Sequence, residues 1–142
     1  MDRELVQRLR DAAPEAFDEL PVVFAYLFGS RAAGRPRPDS DADIALLLDD
    51  TVRGDERLVT VHRCVDALAI ASGVGGLEAV ALNDAALRFV GRVLRQRIVI
   101  FSRDEPARVA YESLLGRMAD DVEVWAAPMD CELLAATAER RR

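Results

Sequence analysis

Apolar and polar positions fall into a clear succession of blocks along the chain. In residues 2–18, Leu5, Leu9, Ala12 and Ala16, with Val6, Ala13 and Phe17 beside them, recur at helical spacing opposite arginines and acids, which predicts an amphipathic helix. Val22 to Phe28 is almost wholly apolar, β-branched or aromatic, as expected of a central strand buried on both faces. Gly29-Ser30 ends that strand. Arg31 to Arg35 has room for one helical turn before Pro36, and Pro36 and Pro38 stiffen the loop that follows. Asp41 to Leu48 opens on two acids and continues as a second apolar strand.

Arg53 to Ser72 predicts a helix with Leu58, Val61, Val65, Leu68, Ala69 and Ser72 on one stripe, broken at Gly73 to Gly76. Leu77 to Leu82 is a third strand. Asn83 or Asp84 is the expected cap of a helix from about Ala85 to Leu94. Arg97 to Phe101 is a short strand. Asp104-Glu105-Pro106 opens a further helix with Ala107, Ala110, Tyr111, Leu114 and Met118 along one side, and a last helical segment is expected after Pro128. This order gives an α/β (α+β) fold, a small mixed sheet flanked by helices. Residues 1–142 form one domain, with a helical extension from about residue 104.

Length and charge narrow the function. At 142 residues the chain buries one ordinary core. It has no apolar run near the ~18 residues of a membrane span, and its charged start is unlike an export signal. Cys64 and Cys131 lack metal-type spacing and are expected to be reduced thiols in a cytoplasmic protein. The net charge of −6 disfavours direct nucleic-acid binding. All 19 basic residues are arginine, which excludes a P-loop or Schiff-base lysine; any bound phosphate must be held by arginine, backbone amides or a metal ion.

The candidate chemistry lies in Phe24 to Leu48. Asp41 and Asp43, two apart on a strand, point to one face about 7 Å apart. Two carboxylates there need a cation between them, either arginine or a divalent metal; the pair suits Mg²⁺, which also takes phosphate oxygens. Gly29-Ser30 is the complementary half: a glycine turn admits close backbone approach, and amides opening a helical turn attract phosphate. Glu78, flanked by Leu77, Ala79, Val80 and Ala81, is either a surface acid on an edge strand or, if its face matches that of Asp41 and Asp43, a third carboxylate able to share a metal or take a proton. His62, the single histidine, sits inside a helix without an acid or cysteine at ligand spacing and is expected to be structural or at the surface.

Gly29-Ser30, ten residues, then Asp41-Ala42-Asp43 resembles the GS-x10-DxD signature of the polymerase-β-like nucleotidyltransferases. The stretch LFGSRAAGRPRPDSDADIALLL is similar to the small MNT branch, the minimal nucleotidyltransferase antitoxins of HEPN/MNT toxin–antitoxin systems, as is LEAVALNDAALRFVGRVLRQRIVIF; together they cover roughly residues 20–101. The resemblance implies a polymerase-β-like nucleotidyltransferase palm, Mg²⁺, ATP as substrate and transfer of a nucleotidyl group to a hydroxyl with release of pyrophosphate. It implies Asp41, Asp43 and Glu78 as metal ligands and catalytic carboxylates, the third being more usually aspartate. It implies Gly29, Ser30 and Arg31 as nucleotide-binding residues. The implied partner is a HEPN-domain ribonuclease toxin, silenced by AMPylation of a tyrosine; homo- or hetero-oligomeric state stays open. A non-catalytic antitoxin that acts by binding alone, and a transferase for a small molecule, are the alternatives.

Overall fold

A computed structural model describes residues 3–29 and 42–140, with side chains as far as residue 123. The chain runs α1 (Arg3–Ala16), β1 (Val22–Phe28), β2 (Ala42–Leu48), a 3-10 turn (Gly54–Glu56), α2 (Arg57–Ser72), β3 (Leu77–Ala81), α3 (Leu87–Gln96), β4 (Ile98–Ser102) and α4 (Glu105–Arg140). The sheet order is β3-β2-β1-β4. β1 is antiparallel to both β2 and β4, while β2 and β3 are parallel. That parallel pair demands a crossover, and α2 supplies it.

The sheet separates two apolar layers. On one face Ile44, Leu46 and Leu48 of β2 and Val22, Ala25 and Leu27 of β1 pack with α1 and α2 through Leu5, Leu9, Phe17, Val61 and Leu68. On the other, Phe24, Tyr26 and Ala45 meet Val90, Val93 and Leu94 of α3, with Tyr111 and Leu115 of α4 against them. Both faces of β1 are therefore covered, which is why its sequence shows no alternation. β3 alternates instead: Leu77, Ala79 and Ala81 pack on the α1/α2 layer, while Glu78 and Val80 are exposed.

Several local expectations change. In α2 the buried stripe is Val61, Cys64 and Leu68, and Leu58 is 68% exposed; the small buried thiol behaves as a hydrophobe and shifts the helix phase. α3 begins at Leu87 with extended Ala86 before it and no side-chain cap. Asn83 is committed elsewhere: its Nδ2 donates to the Leu48 carbonyl at 2.7 Å and its Oδ1 accepts from the Leu48 amide at 2.9 Å. Asp84 is ion-paired with Arg57. The helix after β4 is continuous from 105 to 140 and includes Pro128, since one lost amide donor need not end a helix whose other turns remain bonded. Its capping residue is Asp104, whose Oδ1 accepts from the Ala107 amide at 3.0 Å. On the α4 seam, Leu114 and Met118 are exposed and Ala119 is buried. Gly91 of α3 makes that seam possible, because a Cβ there would stand 2.7 Å from the Ala119 Cβ.

Burial also sets how the fold responds to base. It pushes the Cys64 thiol up from 9.0 to about 11 and the Tyr111 phenol up from 10.0 to about 12. Each raised value belongs to the folded state, so the folded chain binds these protons more tightly. Stability is fully present below pH 9 and is lost as pH rises towards about 12. Urea unfolding at pH 8 and pH 10.5 is expected to show a lower midpoint at the higher pH, and Cys64→Ala is expected to reduce the difference; a midpoint independent of pH would contradict the burial of these groups.

Candidate active site

The site is built on a row across three strands. Asp43 of β2 stands opposite Phe28 of β1 and opposite Glu78 of β3. Residues directly opposite on neighbouring strands point to the same side of a sheet. Asp43 and Glu78 therefore share a face, on strands about 4.8 Å apart. That face is the one α3 and α4 cover at β1; at β3 it is open, and Val80, two residues after Glu78, is 40% exposed.

Gly29 follows β1 immediately. Its φ is +83°, a left-handed conformation that glycine alone adopts freely. A Cβ at this position would lie 2.5 Å from the Asp43 Oδ2. The turn backbone and the carboxylate are thus in contact, and the missing side chain is what lets them approach. The Gly29 amide donates to the Oε1 of Gln96 at 3.1 Å. Gln96 ends α3 and holds the turn from the β4 side. Sequence reasoning missed it; the antiparallel β1–β4 pairing, which brings the α3–β4 junction beside the end of β1, is the feature that places it there.

A cavity of about 300 Å³ opens where α2 meets the β3 edge, and Asp43 and Glu78 line it together with Phe28, Val61, His62 and Val80. His62 is exposed on α2, as expected, but it also borders the cavity that holds both carboxylates. The signal was present in the order β2–α2–β3: a crossover helix passes over the two strands it connects. Ser30, Arg31 and Asp41 lie outside the described residues. Among the described residues no group of three metal-ligating side chains stands together.

The profile of the family described as polymerase beta, nucleotidyltransferase, matches residues 15–106, a span that contains the turn, both strands of the acid row and Gln96. The chain belongs to the polymerase-beta nucleotidyltransferase family. The fold of this nucleotidyltransferase is shared with solved toxin–antitoxin structures. It matches a chain from a toxin–antitoxin structure with AMP-PNP at TM-score 0.62 and 20% identity, over 94% of this chain and 99% of that one. A chain from the tri-AMPylated Shewanella oneidensis HEPN toxin in complex with MNT antitoxin matches at TM-score 0.64 and 17% identity, over 91% and 98%. A chain of the toxin–antitoxin MntA–HepT matches at TM-score 0.63 and 17% identity, over 90% and 98%. No curated protein matches the nucleotidyltransferase at a significant level. Among its described residues, no helix is long and apolar enough to cross a membrane.

The family span ends at the first turn of α4. Beyond it, α4 is tied to the sheet by a charged cluster under β1. Tyr26, fully buried, donates its hydroxyl to the Glu112 Oε1 at 3.1 Å. The same carboxylate accepts from Arg97 Nε at 2.9 Å and Arg108 Nη1 at 2.8 Å. Burial first, and then the Glu112 charge, hold the Tyr26 phenol well above its ordinary range, so Tyr26 is a neutral donor in this cluster.

Proposed function

We propose that this chain is a cytoplasmic, Mg²⁺-dependent nucleotidyltransferase antitoxin that transfers AMP from ATP to a tyrosine of a cognate HEPN-domain ribonuclease toxin and so neutralises it. The observation that carries the proposal is the acid row beside Gly29: two carboxylates at paired positions, against a turn from which a side chain is sterically excluded. Family membership supports nucleotidyl transfer. The toxin–antitoxin complexes that share the fold, one with AMP-PNP and one with a tri-AMPylated HEPN toxin, support ATP and a protein acceptor.

The residues fit a divalent cation. Carboxylate oxygens are the hard donors Mg²⁺ prefers, and it takes few protein ligands beside substrate phosphates. Asp41, Asp43 and Glu78 would hold it, and when bound it supplies charge neutralisation at the phosphates. Gly29, Ser30 and Arg31 bind the triphosphate through backbone amides, a hydroxyl and a guanidinium. Glu78, on the open edge strand, receives the proton of the acceptor hydroxyl. The acceptor oxygen bonds to the α-phosphorus, the bond to the β-phosphate oxygen breaks, and pyrophosphate leaves.

The test is incubation with ATP labelled at the α-phosphate, Mg²⁺ and the HEPN-domain protein encoded beside this chain. Label is expected on the toxin, at a tyrosine. An unlabelled toxin that is nevertheless neutralised by wild type and by Asp43→Asn alike would replace catalysis with neutralisation by binding.

A further inference from the structure

The last rung between β1 and β4 is made by a side chain. Leu27 of β1 pairs with Ile98 of β4 in antiparallel register. Gln96, two residues before Ile98, therefore stands level with Gly29, two residues after Leu27. α3 runs to Gln96, so the backbone there is helical and does not extend the ladder. The carboxamide takes its place and accepts from the Gly29 amide at 3.1 Å. A backbone N–H can only donate, which fixes the carboxamide with Oε1 towards Gly29 and leaves Nε2 as a donor beside the turn. Nε2 has no hydrogen-bond partner among the described residues, and Gln96 is exposed.

The glycine turn thus has a different group on each flank. On the β2 side a Cβ at Gly29 would lie 2.5 Å from the Asp43 Oδ2; on the β4 side stands the Gln96 carboxamide. A triphosphate whose α-phosphate lies at Asp43 and which follows the turn runs towards β4, and its pyrophosphate end meets Nε2. With no lysine in the chain, neutral donors must carry more of the phosphate contacts. The negative end of α3 is the unfavourable neighbour for an anion there, and Arg97 offsets it, since its Nη1 donates to the Leu94 carbonyl at 2.6 Å.

We propose that Gln96 binds the pyrophosphate end of the triphosphate, with Oε1 anchoring the Gly29 amide while Nε2 donates to a phosphate oxygen. The inference rests on the nucleotidyl-transfer function above. Glutamine suits the position because one planar group supplies both an acceptor and a donor.

Gln7 and Gln96 are the only glutamines, so the full chain carrying 15N in its glutamine side chains gives two carboxamide signals. Gln7→Ala assigns them. Gln7 donates to Asp11 on α1 at 2.7 Å and serves as the control. With Mg²⁺ present, AMP-PNP and inorganic pyrophosphate are each expected to move the Gln96 signal saturably and to leave that of Gln7 in place. AMP is expected to move it little.

Calorimetric titration then ranks two variants. Gln96→Leu is expected to weaken AMP-PNP binding about tenfold, the loss of one hydrogen bond to a charged group. Gln96→Glu keeps an acceptor for Gly29 but turns a carboxylate towards the phosphates, and is expected to weaken binding further. A residue that merely anchored the turn would give the reverse order, and that order overturns the proposal. So does a Gln96 signal left unmoved by AMP-PNP that calorimetry shows to be bound. If AMP-PNP moves the signal while the toxin stays unlabelled, the transfer function falls and the Gln96 contact stands. If AMP-PNP does not bind, both fall.

Discussion

Asp43→Asn is expected to lower nucleotidyl transfer by about 100- to 1,000-fold, the cost of removing one preorganised electrostatic group from a site of developing charge. Asparagine keeps the shape of the side chain, so the strand and its neighbours stay packed; what is lost is the anion opposite Glu78 and against Gly29. Gly29→Ala attacks the same contact from the other side. It forces alanine into a left-handed conformation at a cost of about 1–2 kcal/mol. It also drives a methyl group to within 2.5 Å of the Asp43 carboxylate. Displacement of a reacting group by about 1 Å costs on the order of 100-fold in rate. Initial rates of transfer and thermal midpoints separate the two variants: Asp43→Asn loses activity with the midpoint preserved, and Gly29→Ala loses both. Either variant keeping activity within about threefold of wild type would remove this contact from the reaction.

The second large effect is on stability. Glu112→Ala is expected to destabilise the chain by about 2–3 kcal/mol, because it leaves the buried Tyr26 hydroxyl without its acceptor and takes a carboxylate from Arg108, which keeps Glu105, and from Arg97, which is 39% exposed. The Glu112 side chain is only 13% exposed and that of Arg108 18%, so water compensates the loss chiefly at Arg97. Tyr26→Phe removes a single neutral donor and is expected to cost nearer 1 kcal/mol. Equilibrium urea unfolding gives both numbers. Equal costs would mean that the phenol, rather than the charge cluster, anchors α4. A Glu112→Ala cost below about 1 kcal/mol would mean that the arginines find solvent without it. Gly91→Ala probes the same helix by packing alone: the new methyl collides with Ala119, and overpacking of this kind costs about 1–3 kcal/mol. Ala119→Gly in the same chain is expected to recover most of the thermal midpoint, and a failure to do so would place the strain elsewhere.

The sheet was largely legible in the sequence. β1 and β2 are long apolar runs bounded by turn residues, and no helix phase had to be guessed. Glu78 could be placed on its strand, and the parallel register then settled which side it faces. Helix phases were less legible. In α2, Leu58 was expected on the buried stripe and is exposed, while Cys64, which lay off that stripe, is buried, because which turn of the helix meets the sheet depends on where β3 lies. The start of α3 was misread for a related reason: Asn83 has the chemistry of a cap, yet its carboxamide finds both partners on Leu48, a residue 35 positions away. Gln96 and His62 belong to the site through strand order and crossover geometry, and no local motif marks either one.

The use of Asn83 as a substitute strand residue has a consequence for the ageing of the molecule. Asparagine deamidates when the next backbone nitrogen attacks the side-chain carbonyl, and here that carboxamide is held at both ends by Leu48. The conversion is slowed while the fold persists and released when it opens. Once made, the aspartate would turn a donor into a carboxylate oxygen facing the Leu48 carbonyl. The damage would then mark those chains that had already unfolded, and would hinder their return.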